Sequence, residues 1–104
     1  MKNSLTMLTL LFLMTELESI GSKIDRIKKN LDRLSQGNPD HKDYVEINLT
    51  KSQRTLKFGR LLGNWGVILP NGNWESLENT PDNIIAEIDD YAQRVVNNLD
   101  ARQQ

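Results

Sequence analysis

The chain has 104 residues, of which 38% are hydrophobic and 26% are charged, and its formal net charge is −1. This length predicts one domain, or one domain with an extended helix. Because the chain contains no cysteine, disulfides, thiol catalysis and thiolate metal sites are excluded, and a reducing compartment is favoured. We therefore expect a cytoplasmic protein.

Residues 10–34 carry a heptad pattern in which apolar residues recur at alternating steps of three and four. This spacing is typical of the seam of a coiled coil. It predicts one long helix from about Asn3 to Ser35, and residues 1–36 are interpreted as an oligomerisation helix, most simply of a homodimer. The predicted interface consists of Leu10, Leu13, Leu17, Ile20, Ile24, Ile27, Leu31 and Leu34.

A polar connector follows the predicted helix. Gly37, Asn38 and Pro39 are typical of a helix end. The single histidine, His41, lies within residues 40–43, where adjacent potential ligands on a loop rarely form a closed metal site. No residue set supplies a positioned base or nucleophile. We expect a protein that is not an enzyme and that needs no metal or cofactor.

Residues 44–77 change to a period of two. Val45, Ile47 and Leu49 alternate with polar residues, which predicts a strand with one solvated face. The pattern therefore predicts the first strand of a small antiparallel meander.

The second predicted strand covers Arg54–Leu62, and Gly63-Asn64 predicts a two-residue hairpin turn after it. Alternation places Leu56, Phe58 and Leu62 on one side and Thr55, Lys57 and Gly59 on the other.

A third predicted strand places Trp65, Val67 and Leu69 on one face, and Pro70–Asn73 predicts a turn. Trp74–Leu77 is interpreted either as a short last strand or as the start of the next helical segment.

A helix over Thr50–Leu62 competes with the meander, because its first residue and Gln53 form a capping-box pattern. Gly59, Gly63 and Gly66 argue against it, since each glycine costs a helix about 1 kcal/mol. We favour the meander.

The last predicted helix begins at Thr80-Pro81-Asp82, which combines an N-cap, a first-turn proline and a dipole-favoured acid. The predicted fold class is α+β: the long heptad helix, the meander and this amphipathic helix, with 44–104 as one compact unit. Its apolar face comprises Ile84, Ile85, Ile88, Tyr91, Ala92, Val95, Val96 and Leu99.

Charge is distributed unevenly along the chain. Residues 23–60 carry ten Lys/Arg and five Asp/Glu, whereas residues 61–104 carry two and seven. The two parts can attract each other, or the basic part can meet an anionic partner. Cations on a sheet with Tyr44 nearby for stacking are typical of a single-stranded nucleic-acid site, although Glu46 lies on the same face. The predicted contacts are Tyr44, Lys51, Arg54, Lys57 and Arg60.

Part of the chain resembles a known family. The pieces are Tyr44–Ile47, Arg54–Phe58, Gly66–Leu69 and Asn73–Leu77. Over residues 44–99 they are similar to the single-stranded-DNA-binding domain of the transcription coactivator positive cofactor four. The resemblance implies an antiparallel sheet, a terminal dimerising helix, and a backbone-contacting strand that holds Arg54, Lys57 and Arg60. The heptad helix is not part of that pattern.

Three hypotheses about function follow. The first is a non-enzymatic homo-oligomer that binds single-stranded nucleic acid on its sheet. The second is a protein-interaction adaptor or small inhibitor that acts through its helices. The third is a small-ligand binder at a subunit interface, with Trp65 and Trp74 as candidate walls. No segment is long and apolar enough to predict a membrane span.

Overall fold

The computed structural model describes residues 18–37, 40 and 42–102. It confirms the α+β class and includes the short fourth strand. The sheet is antiparallel throughout, with the strand order β1-β2-β3-β4. The elements are α1 (Ile20–Gln36), β1 (Tyr44–Leu49), β2 (Arg54–Leu61), β3 (Asn64–Ile68), β4 (Trp74–Ser76), a 3₁₀ turn (Leu77–Asn79) and α2 (Asp82–Arg102).

Helix α1 begins at Ile20, which is later than the heptad pattern predicts. Ser19 is extended, with φ −67° and ψ 151°, and its hydroxyl accepts a hydrogen bond from the Ser22 amide. This is N-cap geometry, and it ends the helix in the N-terminal direction. The prediction of one unbroken helix from Asn3 is therefore wrong at Ser19, because local capping prevails over the apolar repeat there.

The β1–β2 hairpin confirms the meander against the competing helix. Val45 pairs with Phe58 and Ile47 pairs with Leu56, so their apolar side chains share one face of the sheet. The three glycines that disfavoured a helix all lie in β2, in β3 or in the turn between them.

The β2–β3 turn lies one residue earlier than predicted. Leu61 pairs with Asn64, and the two turn residues are Leu62, with φ 51°, and Gly63, with φ 83°. A type I′ turn needs positive φ at both central positions, and here a leucine takes the first. Leu62 was predicted beside Phe58, but it lies at the tip and is 95% exposed.

Both helices contribute to one hydrophobic core with the inner face of the sheet. Residues 20–36 therefore share their core with residues 44–102. The largest fully buried side chains are Ile27, Leu31, Ile47, Leu49, Phe58, Leu77, Ile85 and Ile88.

Ion pairs hold the basic helix α1 to the acidic C-terminal part. Arg26 donates to Asp89 at 2.6 Å and to Glu18 at 2.7 Å, and Arg33 donates to Asp100 at 2.7 Å. Hydrogen bonds to Asp89 and Glu18 raise the pKa of Arg26 further above its usual range. Much of the uneven charge is thus paired within the chain.

Candidate nucleic-acid interface

The strand register defines an outer face of the sheet, which points away from both helices. Directly paired residues share a face, so rows of side chains can be followed across all four strands. The outer face consists of Tyr44, Glu46, Asn48, Thr55, Lys57, Gly59, Leu61, Asn64, Gly66, Ile68, Trp74 and Ser76.

Trp74 lies across the backbone of β2 and β3 on this face. Its indole N–H donates to the Gly59 carbonyl at 2.9 Å. A Cβ at Gly66 would overlap the indole carbons Cε2 and Cζ2, and a Cβ at Gly59 would lie 2.8 Å from Cδ1 of Ile68. The two glycines therefore form a bare floor that Trp74 and Ile68 cover. Both covering side chains are half-buried, so part of this apolar platform remains accessible.

A cleft opens beside the platform, between the start of β2 and the turn after β3. Its volume is about 590 Å³, which lies within the usual range for small-ligand sites. The β2–β3 ladder ends at Lys57 and Ile68. In an antiparallel ladder every second residue directs its backbone N–H and C=O to the same neighbouring strand. Thr55, two residues before Lys57, therefore directs its N–H and C=O to the β3 side, where the ladder has ended and the cleft lies. The cleft is lined by Arg54, Thr55, Leu56, Lys57, Val67, Ile68, Leu69, Pro70 and Gly72.

Two of the four predicted cations meet at this cleft. Arg54 and Lys57 both line it, and both residues are exposed. Neither forms an ion pair with any residue that the structure describes. Their charges are therefore available to an anionic ligand.

Lys51 lies elsewhere. The β1–β2 loop is held against α2, because the Ser52 amide donates to the Glu87 carboxylate at 3.0 Å. Lys51 lines a different pocket, of about 250 Å³, together with Glu87 and Asp90 of α2. The prediction that it joins the other cations is wrong, because the loop folds towards the acidic helix.

Arg60 is not free for a ligand. Its guanidinium bonds Asp43 at 2.7 Å and Asp32 at 3.0 Å, and it lies 5.3 Å from the ring centroid of Trp65. Trp65 is opposite Arg60 in the ladder and donates its indole N–H to the same Asp32 at 2.7 Å. The predicted role of Arg60 in phosphate contact is therefore corrected: it joins α1 to the inner side of the sheet.

Tyr44 lies on the outer face, opposite Gly59, but its hydroxyl is engaged. It donates to the Glu46 carboxylate at 3.0 Å. Partial burial, and then this carboxylate, raise the pKa of Tyr44 above its usual value. Glu46 is also directly opposite Lys57 on β2, so β1 carries a negative charge beside this cation.

The heptad residues that the structure describes face the core. Ile24 is 3% exposed, and Ile27 and Leu31 are fully buried. Ile20 and Leu34 are partly buried and pack against the same core. The prediction that these side chains meet a second copy is corrected, because α2 and the sheet of the same chain cover them. Leu10, Leu13 and Leu17 lie outside the described residues.

Two contributors to the outer face, Trp74 and Ile68, were missed as residues of the nucleic-acid site. The signal that could have found them is the register, since Gly59 is directly opposite Gly66. Facing glycines on adjacent strands leave a space that a large neighbouring side chain must fill. The sequence alone does not fix the register, so it did not show which side chain fills this space.

No family model, curated protein or solved structure matches the chain. Within the described ranges, no cluster of three or more His, Asp or Glu side chains could hold a metal ion. In that same part of the chain, no helix is long and apolar enough to cross a membrane.

Proposed function

We propose that the protein binds single-stranded nucleic acid on the outer face of its sheet, without catalysing a reaction. The observation that carries this proposal is an accessible tryptophan platform with Lys57 in the same row and with Arg54, at the start of β2, lining the adjoining cleft. Neither cation has an ion-pair partner among the described residues. Trp74 and Ile68 pair with each other across β3 and β4, and Ile68 pairs with Lys57 across β2 and β3. An apolar surface and a cation therefore lie in one row.

The chemistry of this row fits a single strand better than a duplex. Bases stack on exposed aromatic rings whatever their sequence, and each stacked base contributes about 1–3 kcal/mol. The phosphate that follows a stacked base would then meet Lys57 and Arg54, and the Thr55 amide offers a neutral donor in the same cleft. Duplex DNA keeps its bases stacked internally and presents no free face to Trp74.

Salt dependence gives the clearest test. Two phosphate contacts on a single strand predict a slope of about −1.4 in log K against log salt concentration. Arg54→Ala and Lys57→Ala should each reduce the steepness of that slope by about 0.7 and weaken all sequences alike. The measurement is fluorescence anisotropy of a labelled oligonucleotide of about thirty nucleotides, titrated at several salt concentrations.

Lys51→Ala is the matched control, because it removes the same charge three residues from Arg54 but on the α2 side of the loop. It should leave the slope nearly unchanged. Equal effects at positions 51, 54 and 57 would indicate a diffuse charge effect and contradict the site. Absence of binding below about 100 μM at low salt, where non-specific binders associate, would end the proposal.

Glu46→Gln tests the electrostatic balance of the same face. Removing this carboxylate leaves Lys57 with a neutral cross-strand neighbour and should tighten oligonucleotide binding. Weaker binding would mean that the bound oligonucleotide does not pass along the row that contains Lys57.

The resemblance of residues 44–99 to the positive cofactor four domain is compatible with this proposal and stays a prediction.

The tip of the β2–β3 hairpin supports a second candidate, a protein-interaction adaptor. Leu61 is 51% exposed and Leu62 is 95% exposed, and a leucine at positive φ in a turn is strained. A photo-crosslinking residue at position 62 should then yield one discrete protein adduct in cells. The same residue at Asn71, which is exposed in the β3–β4 turn, should not; equal products at both turns would contradict an adaptor site at the tip.

A further inference from the structure

The two edges of the sheet are protected to different degrees. Strand β4 is only three residues long and runs directly into the 3₁₀ turn, so it offers little backbone to another strand. Strand β1 has six residues, pairs in an unbroken register with β2, contains no proline or bulge, and has Glu46 as its only charged residue. Long regular edges usually carry such protection, because they invite pairing with another strand.

The outward backbone groups of β1 can be assigned from one hydrogen bond. Arg60 N–H donates to the Asp43 carbonyl at 3.0 Å, and these two residues are the next pair in the β1–β2 register. Because hydrogen-bonded pairs alternate in an antiparallel ladder, Val45, Ile47 and Leu49 bond to β2. The N–H and C=O groups of Glu46 and Asn48 therefore point to the free side, and both residues are exposed.

A groove lies beside this edge, between β1, the C-terminal end of α1 and the middle of α2. Its volume is about 340 Å³. Glu46 is the only charged residue among its seven lining residues, and the other six are aliphatic or aromatic. A strand added to β1 would lie over this groove and cover apolar surface as well as form backbone hydrogen bonds. The lining residues that would be covered are Leu34, Val45, Ile47, Tyr91 and Val95.

We propose that β1 pairs antiparallel with β1 of a second copy of this chain, about a two-fold axis at Ile47. Only residues whose backbone groups point away from β2, such as Glu46 and Asn48, can exchange hydrogen bonds across the new interface. Two registers then centre the pairing on the middle of β1. One places Glu46 opposite the partner's Glu46, and like charges directly opposite are unfavourable. The other places Glu46 opposite the partner's Asn48, so that a carboxylate meets an amide twice. The edge is self-complementary in this second register.

The two-fold axis of such a pair is perpendicular to the sheet, because both strands lie in one sheet and run in opposite directions. The outer faces of both copies therefore lie on the same side of an eight-stranded sheet, and the grooves of both copies lie on the other side. The dimer does not depend on nucleic-acid binding, since it uses the edge and not the outer face.

Disulfide trapping tests the register, because the chain has no cysteine of its own. Two single variants are needed, Glu46→Cys and Asn48→Cys, both at exposed positions. In the proposed register, position 46 lies about 5.5 Å from the partner's position 48 between Cα atoms. Identical positions are about 9 Å apart, beyond the reach of a disulfide at about 7 Å.

Oxidation of a mixture of the two variants should therefore give mainly the mixed dimer, and oxidation of each variant alone should give little. Thr55→Cys, on the neighbouring strand β2, serves as the control and should form no intermolecular disulfide. Equal homodimer and mixed-dimer yields, or no disulfide at all in the mixture, would overturn the proposal. Circular dichroism of each variant establishes that the fold is retained.

Opposite charges at position 48 give an independent measurement. Asn48→Lys would face the partner's Glu46 twice and should tighten the dimer about two- to thirtyfold, whereas Asn48→Glu should weaken it by a similar factor. Sedimentation equilibrium measures both dissociation constants. Equal constants for the two variants would contradict the register even if a dimer forms. Oligonucleotide binding is measured separately, so that a failure of the dimer leaves the proposed function standing.

Discussion

The two tryptophans lie on opposite faces of one sheet and are used differently. Trp65, on the inner face, is 2% exposed, donates to Asp32, and lies against an arginine whose charge is paired with two carboxylates. Trp74, on the outer face, is half-buried and donates to a backbone carbonyl. Its neighbouring cations have no ion-pair partner among the described residues.

The comparison shows that a cation beside a tryptophan has a structural role on the inner face and is accessible to a ligand on the outer face. On the inner face the ring, the cation and the carboxylates complete one another and join α1 to the sheet. On the outer face Glu46 is opposite Lys57 but forms no ion pair with it among the described residues, so a ligand with an aromatic base and a negative charge can pair with Trp74 and Lys57. The predictions below test whether the two faces are as distinct as the structure indicates.

The largest expected effect comes from neighbouring residues on opposite faces of β2. Phe58 is fully buried, whereas Lys57 is exposed. Phe58→Ala should lower the free energy of unfolding by about 3–5 kcal/mol, and Lys57→Ala should change it by less than about 0.5 kcal/mol. Urea denaturation followed by circular dichroism measures both values. Similar losses would mean that the assignment of the faces is wrong.

The floor of the platform is tested by Gly66→Ala. The added methyl group would overlap the Trp74 indole and the Glu75 carbonyl, so the free energy of unfolding should fall by about 1–3 kcal/mol. Gly21→Ala is the contrasting control, because Gly21 is exposed in α1 and, among the described residues, the new Cβ would have only the Ser19 hydroxyl within 4 Å. It should stabilise the protein by about 1 kcal/mol. A harmless Gly66→Ala would show that Trp74 does not lie over the glycine floor.

The hairpin tip gives the smallest effect. Leu62 is at φ 51°, where asparagine is favoured over leucine in a type I′ turn. Leu62→Asn should therefore raise the free energy of unfolding by about 0.5–1 kcal/mol. Loss of stability in this variant would mean that the leucine makes favourable contacts within the folded chain.

Much of the fold could be predicted because period and turn residues are local signals. The alternation of Val45, Ile47 and Leu49 indicated β1, and the three glycines argued against a helix over β2. The heptad seam was more difficult, because a covering helix from the same chain and one from a second copy require the same apolar spacing. The packing of α2 against α1 decides between them, and no local pattern encodes it.

The candidate site was predicted only in part, and the reason is geometric. Sequence spacing grouped Lys51, Arg54, Lys57 and Arg60, but a strand places alternate residues on opposite faces. Lys57 therefore lies on the outer face and Arg60 on the inner face, while Arg54 shares the register of Arg60 but lines the cleft beyond the end of the β2–β3 ladder. The anchoring of Ser52 to Glu87 turns the loop that carries Lys51 towards α2. Trp74 was considered as a candidate ligand wall, because nothing in the sequence indicated that it covers Gly66.

The most direct test of the central claim compares the emission of the two tryptophans. Trp65→Phe leaves Trp74 as the only tryptophan, and Trp74→Phe leaves Trp65. Titration with a single-stranded oligonucleotide should quench the emission of Trp74 to saturation, because a base stacks on its exposed side, and should leave the emission of buried Trp65 almost unchanged. Equal quenching of both tryptophans, or binding that leaves the emission of Trp74 unaltered, would contradict the account.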